Sequence, residues 1–236
     1  MPEKILIIGA GLNHEIDSSD FDIIYAANAS ILRLKNTSNV YLILSDAMLF
    51  DENNLNQHPK INNFSREESN KFRLKKYNSI NSIKPKKVVI SDSGEGINIL
   101  KRLDEKKIYA ESMSIINARQ LWSLYLASFN FQNLIQIFFS LDNKLKLKFL
   151  VQIILRKKMS TQYRPSMGLI SIMLAIKENP SATIFFDGIN LFNDNNDREA
   201  HYEGLQKLTY PKNSHVLDQL YINIFIESNQ IKLNPK

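Results

Sequence analysis

The stretch between residues 164 and 192 constrains the fold most, because it joins an amphipathic helix to a short buried strand. Apolar residues recur there at the spacing of one helix face: Leu169, Ile172, Met173 and Ile176. Pro180 ends the helix, and residues 182–186 are short, apolar and rich in strand formers. A helix followed at once by a buried strand is typical of α/β proteins, in which helices cover a sheet.

The start of this helix is also a candidate anion site. Ser166 and Gly168 stand at its N-terminus, where backbone N–H groups without intrahelical acceptors can bind an anion, usually a phosphate. Ordinary packing of a helix against a sheet explains the same residues. Both interpretations stay open from the local sequence.

Four other segments predict buried strands, at residues 4–11, 21–26, 40–45 and 86–91. Together with the intervening helical segments they predict an α/β fold: a Rossmann-like, mostly parallel sheet with helices on both faces. Glycine or polar residues follow the first three strands: Gly9 to Gly11, Asn28 and Asp46. Because open α/β sheets bind ligands at the carboxyl ends of their strands, these residues predict one edge of a binding crevice. For Asn28, a turn-capping role is an equally good interpretation.

The glycine turn after the first strand does not indicate NAD. Gly9 and Gly11 match the first two glycines of the dinucleotide pattern, but His14 occupies the third position. The acidic residue expected after the second strand is also missing, since residues 27–29 are Ala-Asn-Ala. These departures argue against an NAD-dependent oxidoreductase.

Charge and composition restrict the partners and the compartment. The net charge of +6 favours an anionic partner such as a nucleotide, a nucleic acid or a membrane surface. The absence of cysteine excludes disulfides and thiolate chemistry. The first residues do not resemble a signal peptide, and no apolar run reaches the roughly 18 residues of a membrane span. We therefore expect a cytoplasmic protein that is soluble or peripheral on the inner face of a membrane.

The chain is expected to form one domain over residues 1–236, with an insertion at about 117–160. The insertion combines large apolar residues with lysines, which predicts two amphipathic helices separated by a break near residues 140–143. These helices are expected either to pack on the sheet as a subdomain, or to form an acceptor-side lid or membrane-surface hairpin. In the hairpin, six basic residues would face anionic lipid: Lys144, Lys146, Lys148, Arg156, Lys157 and Lys158.

The C-terminal region contributes two candidate histidines. His201 precedes Tyr202, and His215 follows Ser214 just before a predicted helix over residues 216–225. An isolated histidine is more often structural than catalytic, but these two follow a nucleotide-type core.

Taken in order, these segments resemble the sialyltransferases that use CMP-activated sugars, in the bacterial single-domain form with echoes of the eukaryotic sialyl motifs. Four stretches carry the resemblance: KILIIGAGLNHEIDSSDFDIIYAANAS, SDAMLF, RPSMGLISIMLAI with IFFDGINLF, and HYEGLQKLTYPKNSHVLDQLYINIF. Residues 51–160 match only loosely.

The resemblance implies a metal-independent, inverting transfer of sialic acid from CMP-sialic acid to a hydroxyl of an acceptor glycan or glycolipid, in surface polysaccharide or lipooligosaccharide synthesis. It implies His215 as the catalytic base and His201 as the residue that steadies the departing phosphate. Seven residues would bind the nucleotide: Gly9, Gly11, Asn28, Asp46, Ser166, Gly168 and Asn190.

Two departures from the family pattern keep alternatives open. Ala10 replaces an asparagine that family members commonly have, and Leu191 with Phe192 stands where bacterial enzymes have tyrosines. The donor could therefore be CMP-Kdo, and a non-catalytic nucleotide-binding protein is a further alternative. A nucleic-acid partner is not expected, because the basic residues lack interleaved stacking aromatics. A metal cofactor is not expected either, since the Asp-Phe-Asp sequence at residues 20–22 reads as the start of a strand.

Overall fold

A computed structural model describes residues 2–9, 16–34, 39–49, 77–92, 98–160, 163–189 and 212–234. Within these residues, seven strands form one parallel sheet in the order β5-β4-β3-β2-β1-β6-β7. The strands are β1 Lys4–Ile8, β2 Ile23–Ala27, β3 Val40–Ser45, β4 Lys87–Ser91, β5 Ser112–Ile116, β6 Thr183–Asp187 and β7 Lys232–Leu233. The predicted α/β class with a parallel sheet is confirmed.

The helices that accompany the sheet are α1 Ile99–Glu105, α2 Ala118–Ser128, α3 Phe131–Ser140, α4 Asn143–Leu155, α5 Met167–Glu178 and α6 Lys212–Glu227. Two short 3-10 helices, Asn28–Arg33 and Asp46–Leu49, follow β2 and β3, and residues 77–83 are also helical. The sequence also predicts a short helix near residues 65–75, a region that lies outside the described residues. Among the described residues, none of the helices has the length and hydrophobicity of a membrane span.

The sheet has a hydrophobic core on each face, as alternation along buried strands requires. On one face, Ile5 and Ile7 belong to a cluster that includes residues of α2 to α6. On the other, Leu6 and Ile8 join the 3-10 helices, residues 77–83 and α1. The prediction of helices on both faces is confirmed.

Helix α5 is the central helix of the first face. It contacts β1, β2 and β3 on one side and α2 and α6 on the other. Residues 168–175 are all buried, so the helix is enclosed rather than amphipathic as its spacing suggested. Glu178 at its C-terminal end accepts a hydrogen bond from Tyr25 and pairs with Lys87, the first residue of β4. The N-terminus of α5 therefore lies at the carboxyl edge of the sheet.

The middle segment differs from its prediction of two helices, because it forms three. The extra break follows α2, where the side chain of Asn130 accepts a hydrogen bond from the Asn133 amide and begins α3. The break predicted near residues 140–143 is confirmed, between α3 and α4. Helix α2 contacts α5 and β5, and α3 contacts α6, so the segment adds to the helical layer. Its function as a lid stays a prediction.

Candidate functional site at the carboxyl edge of the sheet

The sheet reverses its strand order between β1 and β6. Strands β2 to β5 extend from one side of β1, whereas β6 pairs with the other side, with Ile8 opposite Asp187. Connections that leave neighbouring strands in opposite directions open a crevice at their carboxyl ends, which is the usual ligand site of open α/β sheets.

At this reversal the backbones after β1 and β6 touch. The amide of Gly9 donates to the carbonyl of Asp187 over 2.8 Å. A Cβ on Gly9 would lie 2.4 Å from the Gly188 oxygen, and Gly188 itself has φ of +64°. Both positions therefore require glycine, one for close approach and one for backbone conformation.

The first turn of α5 reaches the same place through Ile189. A Cβ on Gly168 would lie 3.2 Å from the Ile189 side chain, which also lies against Gly9. Two glycines predicted as nucleotide contacts, Gly9 and Gly168, are thus brought to one point. In this structure their direct neighbours are the residues that follow β6.

A guanidinium group lies at the reversal, and sequence reasoning missed it. Arg33, the last residue of the first 3-10 helix, donates from Nη1 to the carbonyl oxygen of Gly9 over 2.7 Å. Burial lowers the pKa of Arg33, and the nearby carboxylate of Asp187 opposes that shift. Asp187 is buried and lies within 3.5 Å of Nδ2 of Asn234. Nothing in the sequence around Arg33 marks it as part of a site. The sequence feature that could have indicated a charged group here is Asp187, an acidic residue between a predicted strand and a glycine.

Asn28 and Asp46 are held together by Ser45. Asn28 has φ of +52°, and its Oδ1 accepts a hydrogen bond from the Ser45 amide over 2.9 Å. The Ser45 hydroxyl lies 3.4 Å from Oδ1 of the buried Asp46. Gly9, Asn28 and Asp46 therefore follow three adjacent strands at one edge, as expected from sequence. The amide oxygen of Asn28 holds the end of β3, which agrees with the turn-capping interpretation.

Buried polar residues concentrate at this edge. Among the described residues, six polar side chains are buried, and four of them lie at or just after the strands' carboxyl ends: Ser30, Asp46, Ser91 and Asp187. Ser30 donates to the carbonyl of Ile8, and Arg164 donates from Nη2 to Oγ of Ser91 over 2.7 Å. The edge thus combines two guanidinium groups with oxygen-bearing side chains.

Ser166 caps α5 and connects it to α6. Its hydroxyl accepts from the amide of Leu169 over 3.4 Å, and its own amide donates to Oδ1 of Asp218 over 3.3 Å. Burial raises the pKa of the Asp218 carboxyl to about 7, although the hydrogen bonds from Ser166 oppose the shift. Asp218 was not predicted from sequence, because nothing local marks it as close to α5.

The histidine predictions are only partly within the described structure. Helix α6 begins at Lys212, so His215 belongs to its first turn and the predicted start at Val216 is wrong. Preceding polar residues extend the helix, which the apolar periodicity could not show. The His215 side chain lies outside what the structure describes, as do Gly11, Asn190 and His201.

Neither a metal site nor a similarity to a known protein identifies the function of this edge. Within the described residues, no three acidic or histidine side chains form a group that could hold a metal ion. The carboxylate of Asp22, from the Asp-Phe-Asp sequence, accepts a hydrogen bond from the amide of Lys4. No family model, curated protein or solved structure matches the chain.

Proposed function

We propose that this protein is a CMP-sugar-dependent glycosyltransferase that transfers sialic acid to a hydroxyl of an acceptor glycan, with inversion and without a metal. The polar carboxyl edge around the β1–β6 reversal carries the nucleotide part of the proposal. The sugar-transfer part rests on the resemblance of the sequence motifs to sialyltransferases. The proposed setting is surface polysaccharide or lipooligosaccharide synthesis, in the cytoplasm or at the inner face of the membrane.

In this proposal the nucleotide occupies the crevice beside Asn28 and Asp46, with its phosphate towards Arg33 and the start of α5. A guanidinium has five N–H donors, so Arg33 can keep its bond to Gly9 and still face an anion. The N-terminus of α5 adds backbone N–H groups of the same polarity. Gly11 and Asn190, which follow β1 and β6 in the sequence, would complete the site.

The proposed reaction is a single displacement. The acceptor oxygen bonds to the anomeric carbon, the bond from that carbon to the phosphate oxygen breaks, and CMP leaves with the electron pair. His215 takes the acceptor's proton, since an unperturbed histidine has a pKa of about 6.5 and acts as a base near neutrality. His201 donates a hydrogen bond to the leaving phosphate, and such donors can replace a metal.

CMP-Kdo is the second candidate donor. Leu191 and Phe192 stand where the bacterial sialyltransferases have tyrosines, so the sugar pocket departs from the family pattern. CMP-Kdo would need the same cytidine site with a different sugar pocket. Mass spectrometry of reactions with CMP-sialic acid, CMP-Kdo and a panel of glycan acceptors distinguishes the two donors. Transfer from neither donor would leave a nucleotide-binding protein without this activity.

Nucleotide binding is tested by thermal shift with CMP, CDP, UDP, NAD and an oligonucleotide. CMP at about 100 times its dissociation constant should stabilise the protein by about 2.7 kcal/mol. Asn28→Gly should reduce this shift, because glycine keeps the positive φ but removes the carboxamide. Asn39→Gly is the matched control, since Asn39 also has a positive φ but lies at the opposite edge, where β3 begins. Stabilisation by NAD or the oligonucleotide instead of CMP would contradict the proposal.

A further inference from the structure

Helices α3 and α4 expose a set of large apolar side chains. On α3 these are Phe131, Ile135 and Phe139, which recur every four residues along one side. On α4 they are Leu147, Leu150, Val151, Ile154 and Leu155. Phe131, Leu147 and Ile154 are 70–77% exposed. We call these eight residues the α3–α4 apolar face.

This face lies opposite the sides of the two helices that are already buried. Ile137 of α3, together with Leu145 and Phe149 of α4, belongs to the main core. A surface helix ordinarily presents polar residues outwards, so an apolar outer side indicates an interaction surface. The two helices are in contact, and Nζ of Lys146 lies 5.6 Å from the ring centroid of Phe139. The apolar residues of the two helices therefore adjoin.

The net positive charge of the protein comes from the segment that carries this face. Residues 118–158 contain seven basic residues and one acidic residue, a net charge of +6. The whole chain has 30 basic and 24 acidic residues and also carries +6, so the rest of the chain has 23 of each and is neutral. At about 100° per residue, Lys148 flanks the exposed stripe of α4 on one side and Lys146 flanks it on the other, while Lys144 lies at the N-terminal end of the stripe itself.

An apolar surface with several basic residues along α4 is complementary to an anionic phospholipid surface. Aliphatic side chains enter the acyl boundary without needing a matched partner shape, while lysines extend their ammonium groups to the headgroups. A second copy fits less well, because a symmetric dimer would bring the lysines of both copies together. Residues 143–158 contain no acidic side chain that could offset this repulsion. Nucleic acid would favour stacking aromatics over the five aliphatic residues of α4.

We propose that the α3–α4 apolar face docks on an anionic phospholipid surface, with both helices in the plane of the interface. The aliphatic and phenylalanine side chains would lie at the acyl boundary, and Lys144, Lys146, Lys148 and the basic residues after α4 would contact the headgroups. The proposal does not depend on the glycosyltransferase reaction, since it concerns a different part of the fold.

The test is co-sedimentation of the full chain with vesicles of phosphatidylcholine, with and without about one-third phosphatidylglycerol. The protein should bind the anionic vesicles, and binding should fall at about 1 M salt, where charges are screened beyond roughly 3 Å. Leu147→Ser with Ile154→Ser should weaken binding by about tenfold or more. Leu100→Ser is the matched control, because Leu100 is 63% exposed on α1, a helix that packs on the other face of the sheet. This variant should bind vesicles as the wild type does.

A second pair of variants tests the charge. Lys144→Gln with Lys157→Gln should weaken binding to anionic vesicles and leave the unfolding midpoint unchanged. Lys177→Gln, at the end of α5, should have no effect. Equal binding to neutral vesicles, no binding by the wild type, or no loss in either double variant would overturn the proposal. A dimer that Leu147→Ser with Ile154→Ser dissociates, without lipid binding, would instead identify the face as an interface between copies.

Discussion

Arg33 and Gly9 are joined by a hydrogen bond of 2.7 Å, from Nη1 of the guanidinium to the carbonyl oxygen of the glycine. The bond connects the helix that follows β2 to the end of β1, at the point where β6 lies alongside. A Cβ on Gly188 would lie 2.3 Å from the same Nη1 atom. Arg33 thus lies against both chain segments at the strand-order reversal, the one that leaves β1 and the one that leaves β6.

Replacing this arginine should destabilise the protein through Asp187. Arg33→Met removes the hydrogen-bond donor to Gly9 and the positive charge near the buried carboxylate of Asp187. We therefore expect the free energy of unfolding, measured with urea, to fall by about 2–4 kcal/mol. Asp187→Asn removes that carboxylate, and adding it to Arg33→Met should recover part of the loss. Strictly additive single and double variants would show that the two charges do not interact.

The two glycines at the reversal should differ sharply in their tolerance of alanine. Gly9→Ala places a methyl group against the backbone oxygen of Gly188, which cannot move aside. The substitution should lower the free energy of unfolding by about 1–3 kcal/mol or more. Gly168→Ala meets only the flexible side chain of Ile189 at 3.2 Å, and alanine favours the helix. Chemical denaturation should therefore show Gly168→Ala near the wild type. Equal losses for both variants would contradict this account of Gly9.

Asp218 should make stability depend on pH. Its pKa in the folded protein is raised from 3.8 to about 7, so the folded state retains a proton that the unfolded chain releases. This contribution is complete below about pH 4 and is lost as the pH rises through about 7. Asp218→Asn stays neutral and should lack this decline. The difference in unfolding free energy between wild type and variant should therefore change by roughly 2–4 kcal/mol between about pH 4 and about pH 7. Urea unfolding at several pH values measures it.

Asp104→Asn serves as the control for this titration, because Asp104 is exposed on α1. Its stability should follow the wild type across the same pH range. A parallel course of the Asp218→Asn and wild-type curves would mean that Asp218 is already ionised in the folded protein below neutrality.

His215→Ala should reduce sugar transfer by about 10²- to 10⁴-fold, the usual contribution of a positioned base. CMP binding and folding should remain nearly unchanged, and donor hydrolysis should persist in part because water can attack without this base. His201→Ala should lose both transfer and hydrolysis, since departure of CMP is impaired. His58→Ala is the histidine control and should be fully active, because His58 stands in a polar stretch of the sequence that belongs to none of the motifs resembling sialyltransferases. A wild-type rate of transfer by His215→Ala across the pH range would make His201 the candidate base.

Metal dependence separates this proposal from most sugar-diphosphate enzymes. Transfer should persist in excess EDTA, because CMP leaves as a phosphate monoester whose charge hydrogen-bond donors can stabilise. Transfer rates before and after chelation, with manganese or magnesium added back, provide the measurement. Loss in EDTA and recovery with either cation would count against the assignment.

The central strands of the sheet could be predicted from local sequence patterns. β1 to β4, β6 and the position of α5 were predictable because strands buried on both faces require continuous apolar runs, which are local. Strand β5 was missed because three of its five residues are exposed in succession, and β7 because both of its residues are exposed. Edge strands bury less, so their sequence pattern is weak.

Contacts between residues far apart in the sequence could not be predicted, because they depend on how the strands and helices pack. The pairing of β6 with β1 brings Asp187 to Arg33, and the packing of α6 on α5 brings Asp218 to Ser166, across 154 and 52 residues respectively. Likewise, hydrophobic periodicity identified apolar sides on α3 and α4 but not which of them are exposed. Periodicity records the side-chain pattern along one element, whereas contact and exposure depend on how all the elements pack together.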